Sequence, residues 1–173
     1  MKIDTSGVGL IDIFKDAGPI IGLEIGVFNG LNASNLLRNL PNLTLHGIDP
    51  YQTYDDWCGV IDNSVLTEAE NTAVEYTQLY KDRFISHKKT SDAAVHSFND
   101  NYFDFIFIDG RHDYEQVLND CINYYPKVKP GGIFSGHDYL QHIGGVVQAV
   151  NEFALKINKS IELMETSSWK IVK

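Results

Sequence analysis

The stretch Ile20-Ile21-Gly22-Leu23-Glu24-Ile25-Gly26-Val27-Phe28-Asn29-Gly30 decides the fold. Ile20 to Ile25 is a short apolar run closed by Gly26, which reads as a strand covered on both faces. Beyond Gly30, residues 31–40 carry Leu31, Leu36, Leu37 and Leu40 at helical spacing, and Pro41 stands just past them. The unit is therefore strand, glycine turn, helix. Glycine in such a turn permits positive φ and lets another backbone or a ligand come close.

The same alternation spreads outward from this stretch. Leu43 to Ile48 is a second strand ending at Asp49-Pro50, and Asp104-Phe105-Ile106-Phe107-Ile108 is a third, ending at Asp109. Residues 84–88 and 132–135 read as shorter strands, the latter entered through the turn Lys129-Pro130-Gly131-Gly132. Helical patterns cover 8–17, 68–84, 92–98, 114–125 and 145–157. Residues 161–165 and 169–172 pair as a terminal antiparallel hairpin around Thr166-Ser167-Ser168. Residues 51–66 read as irregular and polar. Strands alternating with helices predict a parallel α/β sheet, whose ligands bind beyond the carboxyl ends of the strands. Glu24, Asp49, Asp109, His137 and Asp138 all fall at such ends.

Bulk properties narrow the function. The 173 residues fit one domain, and 43% hydrophobic content is too apolar for a disordered chain. The net charge is -9, and the densest basic spots are only Lys88-Lys89 and Lys127-x-Lys129. A nucleic-acid or anionic-membrane partner needs clustered Lys and Arg, so neither is expected. A small neutral or cationic molecule fits better. Cys58 and Cys121 stand far apart, with no disulfide framework and no zinc spacing, as in a reducing cytoplasm. Met1-Lys2-Ile3-Asp4 begins no basic-then-apolar leader, and no apolar run reaches the roughly 18 residues of a membrane span. A cytoplasmic protein is expected.

Glu24 stands before the first glycine of the turn, and the stretch does not read G-x-G-x-x-G. An acid there opposes a pyrophosphate and suits a ligand carrying an ammonium group. That weighs against a nicotinamide-dependent oxidoreductase. Glu24-x-Gly26-x-Phe28-x-Gly30 resembles motif I of the class I S-adenosylmethionine-dependent methyltransferases, usually E-x-G-x-G-x-G. Phe28 takes the place of the middle glycine, as in a small-molecule O-methyltransferase-like subgroup. Gly47-Ile48-Asp49-Pro50-Tyr51, Phe107-Ile108-Asp109-Gly110-x-His112-x-Tyr114, Lys129-Pro130-Gly131-Gly132 and Gly136-His137-Asp138-Tyr139 resemble that subgroup in the same order.

The resemblance implies a Rossmann-like, doubly wound, seven-stranded, mostly parallel sheet with the antiparallel hairpin at its C-terminal end. It implies S-adenosylmethionine as cofactor, touched by Glu24, Gly26, Phe28 and Gly30. Asp49 would bind the ribose hydroxyls, since a carboxylate accepts strong bonds from both. Ser91 and Asp92 would lie at the adenine, although Asp92 equally reads as a helix N-cap. Asp109, His137 and Asp138 would hold Mg²⁺ or another divalent metal. Asp109 can instead position the cofactor's ammonium group without metal. His112, three residues after Asp109, would be the general base, or else a group orienting the helix that follows. The implied reaction moves a methyl group to a small-molecule hydroxyl, such as that of a sugar or natural product. A non-catalytic cofactor-binding relative is the alternative. A nucleic-acid amino-methyltransferase is disfavoured, because Asp109-Gly110-Arg111-His112 is not the Asn/Asp-Pro-Pro-Tyr type of motif.

Residues 51–66, with Tyr54, Asp55, Asp56, Trp57 and Asp62, suit either a lid over the acceptor or a solvated acidic loop. The short segment before Ile20 leaves the acceptor pocket open, or completed by 51–66 or by a second copy in a homo-oligomer. His46, His87 and His96 read as isolated and without function, while His142 is close enough to His137 to face the pocket.

Overall fold

The computed structural model describes residues 6–56 and 59–173. In chain order the elements are α1 (Val8–Phe14), β1 (Ile20–Ile25), α2 (Leu31–Asn39), β2 (Leu43–Ile48), β3 (Tyr54–Asp56), β4 (Gly59–Ile61) and α3 (Asn63–Thr77). There follow β5 (Phe84–His87), α4 (Ser91–Ala94), β6 (Phe103–Ile108), α5 (Tyr114–Tyr124), β7 (Val128–Gly136), α6 (Gly144–Lys156), β8 (Glu162–Leu163) and β9 (Trp169–Val172).

The main sheet has seven strands in the order β5-β2-β1-β6-β7-β9-β8. β1 pairs parallel with β2 on one side and β6 on the other, and β2–β5 and β6–β7 are also parallel. β9 runs antiparallel to both β7 and β8. The expected doubly wound sheet with an antiparallel C-terminal end is thus the observed one. The strand order reverses between β1 and β6, which leaves a crevice at their carboxyl ends.

Alternation along the strands divides the core into two layers. Ile106 and Ile108 of β6 pack with Val117 and Cys121 of α5 and Val146 and Val150 of α6. Phe105 and Phe107 face the other way, toward Leu10 of α1, Leu36 and Leu37 of α2, and Ala73 of α3. Burial of large side chains on both faces explains why these strands read as continuous apolar runs.

Several boundaries differ from the sequence-based expectation. The first helix spans Val8–Phe14 and stops short of residue 17. β7 starts at Val128, so Lys129-Pro130-Gly131-Gly132 lies inside a strand and not in a turn before it. The extra length is taken up by a shift in the β6–β7 register between Phe103 and Phe105, with Gly131 at φ +78. The helix expected over 68–84 starts at Asn63 and ends at Thr77. Its start was hidden because Asp62 is an N-cap, its carboxylate accepting from the Ser64 and Val65 amides. Residues 51–53 carry no regular structure, as expected, but the rest of the described part of 51–66 is ordered differently. It holds the antiparallel pair β3–β4, with Tyr54 opposite Ile61, and the first turn of α3. Trp57 and Cys58 lie outside the described residues.

Candidate active site

A cavity of about 600 Å³ opens at the carboxyl ends of β1, β2, β6 and β7. Such a volume is within the range of small-molecule sites, about 300–1,000 Å³. Glu24, Gly26, Phe28, Asp49, Ser91, Asp92, Asp109, His112, His137 and Asp138 all line it. Gly30 does not. Its φ is +74, and a Cβ there would stand 2.8 Å from the Ala73 Cα, so this glycine serves the close packing of α2 on α3. Gly26, at φ +91, lets the turn pass the end of β6, where a Cβ would collide with the Asp109 carbonyl oxygen.

The β1–β2 side of the cavity is held by backbone. Glu24 is buried, and its Oε1 accepts from Asn32 Nδ2 of α2 at 2.9 Å. Phe28 and Tyr51 are non-glycine residues at φ 47 and φ 49. Left-handed backbone costs about 1–2 kcal/mol at such residues, so something must hold it. Asp49 does so: its Oδ2 accepts from the Phe28 amide at 2.8 Å and its Oδ1 from the Tyr51 amide at 2.8 Å. The Tyr51 hydroxyl donates to the Phe28 carbonyl at 3.0 Å. Burial raises the Asp49 pKa, and the amides of Phe28, Tyr51 and Val27 oppose that rise. Each oxygen of Asp49 retains a lone pair, so the carboxylate can still accept from a ligand.

Ser91 and Asp92 are pinned from α5. Gln116 Nε2 donates to Ser91 Oγ and Asp120 Oδ1, each at 3.2 Å, the Tyr124 hydroxyl donates to the Ser91 carbonyl at 2.7 Å, and Asn119 Nδ2 bonds to Asp92 Oδ1. Asp92 is not the N-cap of α4. Thr90 is, its hydroxyl accepting from the Ala93 amide. Asp120 is buried, and desolvation pushes its pKa up to about 7 against hydrogen bonds from Ser91 and Gln116.

The β6–β7 side is held by side chains. Asp109, His137 and Asp138 each offer a ligand atom, and these atoms lie within 4.8 Å of one another. His137 Nδ1 is 3.3 Å from Asp138 Oδ1 and 3.7 Å from Asp109 Oδ1. Ligands about 2.1 Å from an ion span about 4.2 Å at most, so small side-chain rotations would close this set on a divalent cation. One imidazole with two carboxylates admits Mn²⁺, Fe²⁺ or Zn²⁺ as well as Mg²⁺. Asp138 itself sits at φ 56, a strained position for a non-glycine residue.

His112 lies between two carboxylates, with Nδ1 2.8 Å from Asp56 Oδ2 and Nε2 2.7 Å from Asp138 Oδ2. Burial alone would lower its pKa, but the bonds to Asp138 and Asp56 outweigh burial and raise it to about 9. At neutral pH the ring is an imidazolium with no lone pair. Both ring nitrogens are engaged in this arrangement, so one of these bonds must open and the ring must lose its proton before His112 can act as the general base the sequence led us to expect. It is not the helix cap, since Asp113 caps α5 and accepts from the Gln116 amide. Burial would raise the Asp138 pKa, yet its bonds to His112 and His137 hold it below the ordinary carboxylate range.

Some residues behaved otherwise than expected. His46 and His87 are not isolated, since His46 Nδ1 on β2 meets His87 Nε2 on the edge strand β5 at 2.9 Å. His142 is exposed and does not line the cavity. Asn32, Tyr51, Gln116 and Asp120 were missed, and Asp56 was noted only as one acid among several in the 51–66 stretch. The helical spacing of Gln116, Asp120 and Asn123 on one side of α5 was a usable signal, but nothing local marked Asp56.

A doubly wound sheet with a ligand cavity across its reversal point defines a cofactor-binding α/β domain, and the acid-glycine turn separates it from the pyrophosphate binders. The chain belongs to the methyltransferase-domain family, which matches residues 23–139. It is 30% identical over 140 residues to the uncharacterized protein R132 of Acanthamoeba polyphaga mimivirus, covering 78% of this chain and 59% of that protein's length. Among solved structures it is similar to the O-methyltransferase from Bacillus cereus in complex with SAH, at TM-score 0.70 and 18% identity, covering 100% of this chain and 83% of the other. It is also similar to the O-methyltransferase NovP, at TM-score 0.67 and 18% identity, covering 96% of this chain and 76% of the other. At that identity the two structures establish the fold. Among the described residues, no helix is long and apolar enough to cross a membrane.

Proposed function

We propose that the chain catalyses methyl transfer from S-adenosylmethionine to a hydroxyl oxygen of a small-molecule acceptor. One observation carries this reading: a single cavity joins the acid-glycine turn and Asp49 to the set Asp109, His137 and Asp138. Bound there, S-adenosylmethionine supplies an electrophilic methyl group on a sulfonium.

Each half of the cavity then has a task. Glu24, buried at the turn, attracts the ammonium group. Asp49 accepts from the ribose hydroxyls, and Ser91 and Asp92 border the adenine. Asp109 and Asp138 gather the acceptor hydroxyl, and Asp109 takes its proton. His112 keeps Asp138 ionised and oriented from behind. A divalent cation held by Asp109, His137 and Asp138 would lower the pKa of an acceptor hydroxyl. The chain's own share is proximity and in-line alignment, which can supply about 7–11 kcal/mol of a barrier. The net charge of -9 favours a neutral or cationic acceptor over a nucleic acid. A cytoplasmic setting agrees with the free, buried Cys121.

Calorimetric titration with S-adenosylhomocysteine and with NADH, each with and without Mg²⁺ or Mn²⁺, tests the reading. Micromolar binding of S-adenosylhomocysteine alone is the expected result. NADH binding, or no binding of either, would refute it. A second outcome, S-adenosylhomocysteine binding without turnover on any hydroxylated acceptor, would favour the non-catalytic relative.

A further inference from the structure

On the β3–β4 hairpin Asp55 and its partner Val60 are exposed, Val60 at 63%. The side chain of Asp56 on this hairpin is only 4% exposed. A carboxylate buried in this way is costly unless it is paired and hydrogen-bonded. One partner is His112, which in turn holds Asp138. The chain Asp56–His112–Asp138 therefore runs from the hairpin to the end of β7 beside the cavity. Gln52, Thr53, Tyr54 and Ile61 line the same cavity from the hairpin side. The two oxygens of Asp138 are thereby divided: Oδ2 faces His112 and Oδ1 faces His137.

We propose that Asp56 is a positioning residue that acts through His112, latching the hairpin over the cavity and reserving Asp138 Oδ1 for the side shared with Asp109 and His137. The catalytic consequence rests on the methyl-transfer reading, whereas the latch itself does not. A ligand held between the sheet and the hairpin is released faster when the hairpin swings away. Asp56 then governs ligand release more than ligand capture. It also joins the hairpin to the acceptor end of the site, so that opening one loosens the other.

The test uses Asp56→Ala, the near-isosteric Asp56→Asn, Asp56→Glu, His112→Ala, and the double variant Asp56→Ala/His112→Ala. Asp55→Asn, on the exposed neighbour in the same hairpin, is the control. Amide hydrogen exchange of the ligand-free protein reads the latch directly over residues 51–62. Exchange there should be about tenfold faster in Asp56→Ala and Asp56→Asn, the scale of one charge-assisted hydrogen bond. It should be slowed again in Asp56→Glu and be unchanged in Asp55→Asn. Stopped-flow displacement of S-adenosylhomocysteine should show dissociation about tenfold faster with association nearly unchanged. The double variant should release ligand no faster than either single variant, because each breaks the same chain. A merely structural role for Asp56 would give effects that multiply. Wild-type exchange and dissociation rates in both Asp56→Ala and Asp56→Asn, or multiplying effects in the double variant, would overturn the latch. Should the wild type bind no S-adenosylhomocysteine, the methyl-transfer reading falls, and the exchange data still decide the latch.

Discussion

The two ends of the cavity hold their carboxylates by opposite means. Asp49 is gripped by backbone amides two residues away and one turn back, so its place follows from the course of the chain. Asp138 is gripped by imidazoles, and one of these depends on a residue from a different sheet. The first arrangement is made by main chain at two neighbouring strand ends and is built into the fold. The second is assembled from distant side chains and can be taken apart without disturbing the main sheet. Ligand affinity should therefore be most sensitive to the first end, and chemistry to the second.

The largest expected effect breaks the acceptor end alone. Asp109→Asn should lower turnover by about a thousandfold, the usual scale for a charged group acting at the reacting centre. S-adenosylhomocysteine affinity by calorimetry should stay within about threefold of wild type, because an interaction made only in the transition state leaves ground-state binding alone. An Asp109→Asn variant that binds cofactor normally and keeps full turnover would remove the acceptor-end scheme. The next effect breaks the other end. Asp49→Ala should weaken S-adenosylhomocysteine binding about a hundredfold and also lower the melting temperature. The two strained residues, Phe28 and Tyr51, lose the carboxylate that holds their amides. A variant that binds weakly but melts like the wild type would show that Asp49 is not the bracket for this backbone.

A smaller effect sharpens the same contrast. Phe28→Gly replaces a left-handed non-glycine residue with the residue that tolerates φ 47. Relief of about 1–2 kcal/mol of strain is offset by about 0.5–1 kcal/mol of added chain entropy in the unfolded state. Thermal unfolding should shift upward by a few degrees or not at all, and a drop of more than about 8 °C would mean that the ring itself packs the site.

The same division explains what the sequence disclosed. β1 and β2 were legible to the residue because each is an apolar run stopped by a Gly or by Asp-Pro, and burial on both faces leaves no other reading. The acids Glu24, Asp49, Asp109 and Asp138 were legible because strand ends in a doubly wound sheet converge on one crevice. The β3–β4 hairpin was not, since its strands are too short and too polar for an alternation to register. Nor could the Asp56–His112 contact be seen, as it joins residues 56 positions apart that only the tertiary fold brings together. Asp62 misled for a related reason: an acid in a polar stretch looks the same whether it faces a ligand or caps a helix.

The least conspicuous prediction concerns two buried titrating groups on either side of the sheet's reversal point, whose contributions oppose one another. Burial, reinforced by His87, lowers the His46 pKa from 6.5 to about 4. The unfolded chain therefore binds a proton at His46 that the folded chain refuses, and its contribution to stability is present above about pH 6.5 and is lost as the pH falls toward 4. Asp120 has the reverse sign. Its folded pKa is raised from 3.8 to about 7, so its contribution is full below pH 3.8 and is lost as the pH rises through about 7. Between about pH 4 and 6.5 the two slopes point in opposite directions, so the wild type should depend on pH less steeply across that interval than either single variant. Single variants should uncover each slope. Asp120→Asn should leave a protein that loses stability on acidification, through His46. His46→Phe should leave one that gains stability on acidification, through Asp120. Melting temperatures at pH 4.5, 5.5 and 6.5 for the three proteins check this. Parallel curves would mean that at least one of these groups titrates in the folded protein much as it does in water.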